Sequence, residues 1–140
     1  MNEETSPFLA CRTCTCSALR RASRAVTQHY EDSFRGTGLR ATQFTLLATL
    51  AQTGPQSLSV LANMLGLERT TLTRNLAPLE KKGYVSNVAD ADQRVRRIAI
   101  TQTGEAAALA ALDAWKRAQA SVGEVLLRTG VQNLMGLGCG

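Results

Sequence analysis

The chain has a single histidine, and no catalytic constellation can be assembled around it. No paired carboxylates are spaced for acid–base work, and neither a G-x-G-x-x-G turn nor a P-loop is present. These absences argue against an enzyme. No apolar run approaches the roughly 20 residues that span a bilayer, so no membrane partner is expected. The opening residues, MNEETSPFLA, are acidic and lack the basic and long apolar segments of a secretory leader, which predicts a cytoplasmic location. Aromatic residues make up only 4% of the chain against 44% apolar residues, so a core can form, but one of leucine, alanine and valine. Charge is also missing locally: Ala41 to Leu67 carries none at all.

What charge there is has a direction. The net charge is +5 over 140 residues, with a pI near 9.4, which favours a polyanionic partner. Residues 68–97 hold seven basic and four acidic side chains, while the residues after them balance at three against three. More than half of the excess thus falls in one short stretch. An ordinary solvated basic face would give the same count, so the pattern of that stretch has to decide. The length fits one domain, 1–140, with helices that serve as a dimerisation arm.

From Ser17 the residues Leu19, Ala22, Val26, Tyr30 and Phe34 step by three or four, the apolar stripe of an amphipathic helix that Gly36-Thr37-Gly38 stops. Thr42 can cap a second helix, Gln43 to about Ala51, which is apolar nearly all round and so reads as buried. Gly54-Pro55 ends it. Ser57 suits the N-cap of a short helix, Leu58–Leu65, and Gly66 its left-handed end. Glu68 stands at the cap of the next helix, Arg69 to Lys82, where an acid suits the positive end of the helix dipole. A short helix, a glycine turn and a second helix give helix-turn-helix spacing.

On that second helix Leu72, Leu76 and Leu79 form the buried stripe. Arg69, Thr70, Thr71, Thr73, Arg74 and Asn75 take the other faces of its first turns. Threonine is a poor helix former, so three in four residues need a reason. Small hydroxyls let a helix approach a groove closely and bond to phosphates or bases. Arginine can fork onto guanine, and asparagine onto adenine. Pro78 removes the bond to the Arg74 carbonyl, and Gly83 ends the helix.

Tyr84–Val88 and Val95–Thr101 read as two strands, with Ile98 and Ile100 on one face and Arg97 and Ala99 on the other. The charged loop between them is a wing. Arg94 is placed to enter the minor groove, where arginine is favoured, and Arg96 to meet phosphate. Asp90 and Asp92 either hold those arginines or simply form the turn. Thr101 can cap a last helix from Gln102 to about Leu127, with Leu109, Leu112, Trp115, Gln119, Val122 and Leu126 as one stripe. Such a helix is too long for this chain to cover alone. The expected fold is therefore mainly α with a small antiparallel β-hairpin (α+β): a winged helix-turn-helix at 41–101, flanked by dimerisation helices at 17–36 and 102–137. Val131, Leu134, Met135 and Leu137 would close the same interface.

These pieces, in this order, resemble the MarR family (multiple-antibiotic-resistance regulators). The resemblance is carried by Leu39–Leu47, by Leu61-Ala62 with Leu65-Gly66-Leu67, and by Thr70–Leu76 with Leu79-Glu80 and Gly83. Asp92–Arg96 and Ile100-Thr101 with Gly104 complete it. It covers roughly residues 16–137. It implies a homodimeric repressor on a pseudo-palindromic double-stranded DNA operator, released when an effector changes the spacing of its two reading heads. It also implies DNA contact by Thr70, Thr71, Thr73, Arg74, Asn75 and Arg94. Glu68 departs from the family's usual Asp or Ser cap.

The signal is less legible. Cys11, Cys14 and Cys16 crowd three thiols into six residues, with Arg12 beside them and Cys139 near the other end. Soft thiolates could wrap a thiophilic metal such as zinc or copper(I), or a metalloid such as arsenite. Two of them could instead oxidise to a disulfide. The C-x₂-C-x-C spacing lacks the paired knuckles of a structural zinc site, and inert cysteines starting a helix fit as well. A small organic effector near His29, Tyr30, Phe34 and Arg35 is the other possibility, although a lone helical histidine such as His29 is more often just solvated. A winged-helix protein-interaction module without DNA is the remaining alternative.

Overall fold

The uncharged segment from Ala41 supplies two helices of the computed structural model, which describes residues 6–89 and 94–131. Asp90, Asp92, Leu134, Met135, Leu137 and Cys139 lie outside the described residues. In chain order come a short 3-10 helix (Leu9–Thr13), α1 (Thr15–Phe34), α2 (Ala41–Thr53), β1 (Gln56–Ser57) and α3 (Leu58–Leu65). Then follow α4 (Arg69–Lys81), β2 (Val85–Ala89), β3 (Arg96–Ile100) and α5 (Gln102–Thr129). This is the expected mainly helical fold with a small antiparallel sheet. No helix among the described residues is long and apolar enough to cross a membrane.

The chain forms two compact units. One is Phe34–Ala114, which begins at the last residue of α1 and runs through the first half of α5. Its core is Leu46, Leu47, Leu50, Leu61, Leu72 and Leu79, each fully buried. Burying such a side chain stabilises by roughly 1.5–3 kcal/mol. Phe34 and Phe44 meet at 5.1 Å between ring centroids. α2 packs on α4 and β3, α3 on α4, β1 and β3, and α4 on β2.

The sheet order is β1-β3-β2, all antiparallel. β2 and β3 register Val85 with Ile100 and Ala89 with Arg96. β1 was not expected: two residues have no alternation to read, yet Gln56 and Ser57 pair with Ile98 and Arg97. The helix start at α2 also differs. Arg40, not Thr42, is the N-cap, and Gln43 reaches back so that its Oε1 accepts the Arg40 N–H at 3.0 Å. Nor is α2 buried all round, since Thr45, Ala51 and Gln52 are exposed.

Thr101 caps α5 as expected, and it does more. Its N–H donates to the Tyr84 carbonyl at 3.0 Å, its hydroxyl donates to the Gly83 carbonyl at 2.6 Å, and the Gly104 N–H donates to that hydroxyl at 3.0 Å. This draws the first turn of α5 so close that a Cβ on Gly104 would lie 2.1 Å from the Tyr84 carbonyl oxygen. Along α5 the buried apolar side chains are Ala108, Ala111, Ala114, Ala118 and Val125, rather than the stripe of large residues, and Leu109 is 72% exposed.

The other unit comprises the described residues of Met1–Ser33 and Trp115–Gly140. Here α1 starts at Thr15, two residues before its visible periodicity. Ala22, Ala118 and Val125 are buried while Leu19 is 49% exposed. His29 is not merely solvated. Its Nε2 lies 3.0 Å from the Ala118 carbonyl oxygen and 2.9 Å from Ser121 Oγ. A carbonyl can only accept, so Nε2 carries a hydrogen. The Tyr30 hydroxyl donates to Gln119 Oε1, and burial pushes the Tyr30 phenol above its ordinary pKa.

Candidate nucleic-acid interface

The helix-turn-helix is built by a local device. Ser57 Oγ accepts the Val60 N–H at 3.3 Å, starting α3, and Gly66 ends it with φ 65° and ψ 31°. The Leu67 N–H then donates to the Ala62 carbonyl at 2.9 Å, a glycine-dependent closure that reverses the chain. α4 begins three residues later. Glu68 holds its N-cap position without a side-chain hydrogen bond, so its carboxylate acts only through charge on the helix terminus.

Leu72, Leu76 and Leu79, at 0%, 3% and 0% exposure, anchor one side of α4. With about 100° per residue, Thr70 and Arg74 fall on the side opposite and Thr73 on its flank, all exposed. Thr71 and Asn75 are half-buried on its shoulder, and the Asn75 amide donates to the Thr71 carbonyl at 2.9 Å. The Thr73 hydroxyl donates to the Arg69 carbonyl at 2.9 Å. The structure therefore gathers Thr70, Thr73 and Arg74 on one outward face and sets Thr71 and Asn75 at its edge. Ala77 and Pro78 are exposed on that same face. From the sequence Pro78 had only a backbone role and Ala77 none; the available signal was small residues placed four after Thr73 and Arg74. The helix continues through Pro78 to Lys81. Lys82 is held elsewhere, its Nζ donating to the Gly38 carbonyl at 2.9 Å and lying 5.8 Å from the Tyr84 ring centroid.

On the wing, Arg94, Arg96 and Arg97 are all exposed. The alternation of β3 puts Arg96 on the side of buried Ile98 and Arg97 on the other. Arg97 was read only as a strand position, so the wing carries one more surface cation than expected.

Cys11 lies in the 3-10 helix, Cys14 follows it, and Cys16 is in the first turn of α1; all three are exposed free thiols. The Cys14 N–H donates to the Cys11 carbonyl at 3.2 Å, and a guanidinium nitrogen of Arg20 donates to Cys16 Sγ at 3.5 Å. Among the described residues no three His, Cys, Asp or Glu side chains are arranged to hold a metal ion. Within the larger unit, Phe44, Ala48, Ala51, Ala108 and Leu112 line most of an apolar groove of about 360 Å³ between α2 and α5.

A glycine-turned pair of helices beside a basic hairpin defines a winged helix-turn-helix. Comparison with known proteins agrees. The MarR family model matches residues 39–95. The M. tuberculosis transcriptional regulator MosR is 36% identical, with 86% of this chain and 92% of that chain covered and a TM-score of 0.72. The same regulator solved in complex with DNA gives 39% identity, the same coverage and a TM-score of 0.71. Overoxidized AbfR bound to DNA is 28% identical over 87% of this chain and 90% of that one, with a TM-score of 0.64. No curated protein sequence matches. The chain belongs to the MarR family, and it is a DNA-binding transcriptional regulator.

Proposed function

We propose that two copies of this chain bind a pseudo-palindromic duplex operator as a homodimeric repressor, and that thiol oxidation releases them. The observation that carries the DNA half is the outward face of α4. Thr70, Thr73 and Arg74 stand clear on a helix whose other side is locked by three buried leucines. In the major groove Arg74 is the group suited to guanine, with Thr71 and Asn75 at the edges of the contact. Arg94 and Arg96 supply the minor-groove and phosphate contacts. Dimerisation draws support from the exposed apolar side chains Phe8, Leu109 and Leu127, at 74%, 72% and 67% exposure. Two reading helices must lie about one DNA turn apart, so a modest change in their spacing releases both.

The release signal rests on Cys11, Cys14 and Cys16. A turn closed by a hydrogen bond, as from Cys14 to Cys11, keeps its end Cα atoms within about 7 Å, near the span a disulfide tolerates. A peroxide would oxidise one thiol to a sulfenic acid, leaving an alcohol or water. The second sulfur would then displace hydroxide, giving a disulfide and water. Capture of a thiophilic metal or arsenite by all three sulfurs would require the turn to rearrange, because no ligand set is gathered among the described residues. Overoxidized AbfR on DNA is a relative in which oxidation and DNA binding meet. A second reading, release by a small organic ligand, is favoured by the groove between α2 and α5, whose size suits such a molecule.

Enrichment of random duplexes on the full chain, with and without peroxide, arsenite, zinc and copper(I), tests the proposal. A palindromic site of nanomolar order with steep salt dependence is expected. Release by peroxide is expected in the parent and not in a variant with serine at positions 11, 14 and 16. If that variant responds like the parent, the thiols are not the sensor; if no duplex is enriched, the DNA reading fails.

A further inference from the structure

We infer that Thr73 and Ala77 form an apolar reading strip for the 5-methyl group of thymine, rather than a hydroxyl that hydrogen-bonds to a base. The inference rests on the proposed entry of α4 into the major groove and specifies what that face recognises there.

The hydrogen of the Thr73 hydroxyl is already committed to the Arg69 carbonyl at 2.9 Å. A bond to the carbonyl four residues back turns the oxygen toward the helix axis and leaves the γ-methyl as the outward group. One turn on, Ala77 presents a bare methyl on the same exposed face, roughly 6 Å along the axis, with the exposed Pro78 ring beside it. Thr70 lies about two turns before Ala77 on nearly the same line, and Arg74 stands about 60° to the side of Ala77, so these donors flank the two methyls, which themselves offer no hydrogen to the base beneath them. In the major groove thymine alone among the four bases presents an apolar group, and every other edge presents a donor or acceptor. Pressing two methyls onto such a polar edge removes water from it without replacing the bond, which is unfavourable. The strip therefore selects thymine, and its length spans one thymine or two neighbours.

The test uses the enriched duplex and the full-length chain. Each thymine is replaced singly by deoxyuridine, which keeps all hydrogen-bonding groups and removes only the methyl. We expect one or two positions per half-site to lose about four-fold in affinity, the worth of one buried methyl. Thr73→Val keeps the methyl and loses the hydroxyl; it should bind within about two-fold of the parent and remain sensitive to deoxyuridine. Thr73→Ser keeps the hydroxyl and loses the methyl; it should lose about four-fold and be indifferent to deoxyuridine at the contacted position. The reverse order, with Val weak and Ser intact, overturns the inference, as does indifference of the parent to every substitution. Both outcomes leave DNA binding by α4 standing. Failure to enrich any duplex removes that binding and this inference together.

Discussion

α4 and α5 are both amphipathic helices, but they are amphipathic in opposite senses. α4 buries leucines and turns threonine, alanine and proline outward. α5 buries alanines and turns Leu109 and Leu127 outward. The first arrangement is complete within one chain: a firm apolar anchor fixes a low-relief face that can press against something else. The second is incomplete, because the larger apolar surface is the one left in water. A helix of this kind suits contact with another copy, which is where the proposed dimer places it.

Truncation separates the two helices most sharply. Leu72→Ala in α4 should lower folding stability by ~2–5 kcal/mol, read from the urea midpoint. Leu109→Ala should change subunit stability by less than about 0.5 kcal/mol, yet raise the dimer dissociation constant measured by sedimentation. If Leu109→Ala destabilises as much as Leu72→Ala, the contrast between the helices is wrong. Next in size is Gly104→Ala, which drives a methyl into the Tyr84 carbonyl and should cost about 1–3 kcal/mol in the same urea assay, despite adding helix propensity. Arg94→Ala should weaken binding to all duplexes alike and reduce the slope of log affinity against log salt by about one, leaving sequence preference intact. The smallest effect belongs to Tyr30. Burial raises its phenol pKa, so its contribution is fully present below about pH 10 and is lost as pH rises beyond that through the raised folded-state value. The parent should therefore lose stability relative to Tyr30→Phe as pH rises above about 10, and parallel loss in both would remove the role assigned to that burial.

The same contrast explains what could be read from the sequence. In α4 large apolar residues are the buried ones, so periodicity located both the anchor and the exposed face that is proposed to read DNA, and Ser57 and Gly66 marked the turn before it. In α5 periodicity picked out the large residues and missed the alanines, because a hydrophobic stripe does not say which chain covers it. β1 escaped for want of length, and the α2 cap because the bond comes from Gln43 reaching backward, not from a hydroxyl at the cap. His29 was legible as a residue but not as a tie between α1 and α5, since its partners are a backbone carbonyl and Ser121 far along the chain. Thr71 and Asn75 sit on the shoulder of α4 because the leucine stripe, not the run of polar residues, sets which way the helix faces.

The central claim is that the outward face of α4 distinguishes one DNA sequence from another. It is tested most directly by the ratio of affinities for the enriched duplex and a scrambled one, measured at fixed salt for the parent and for Arg74→Ala. The account predicts that the variant loses about 1–3 kcal/mol on the enriched duplex and far less on the scrambled one, so that the ratio collapses toward unity. An unchanged ratio, with both affinities lowered equally, would make Arg74 a phosphate contact and contradict the assignment of α4 as the reading element.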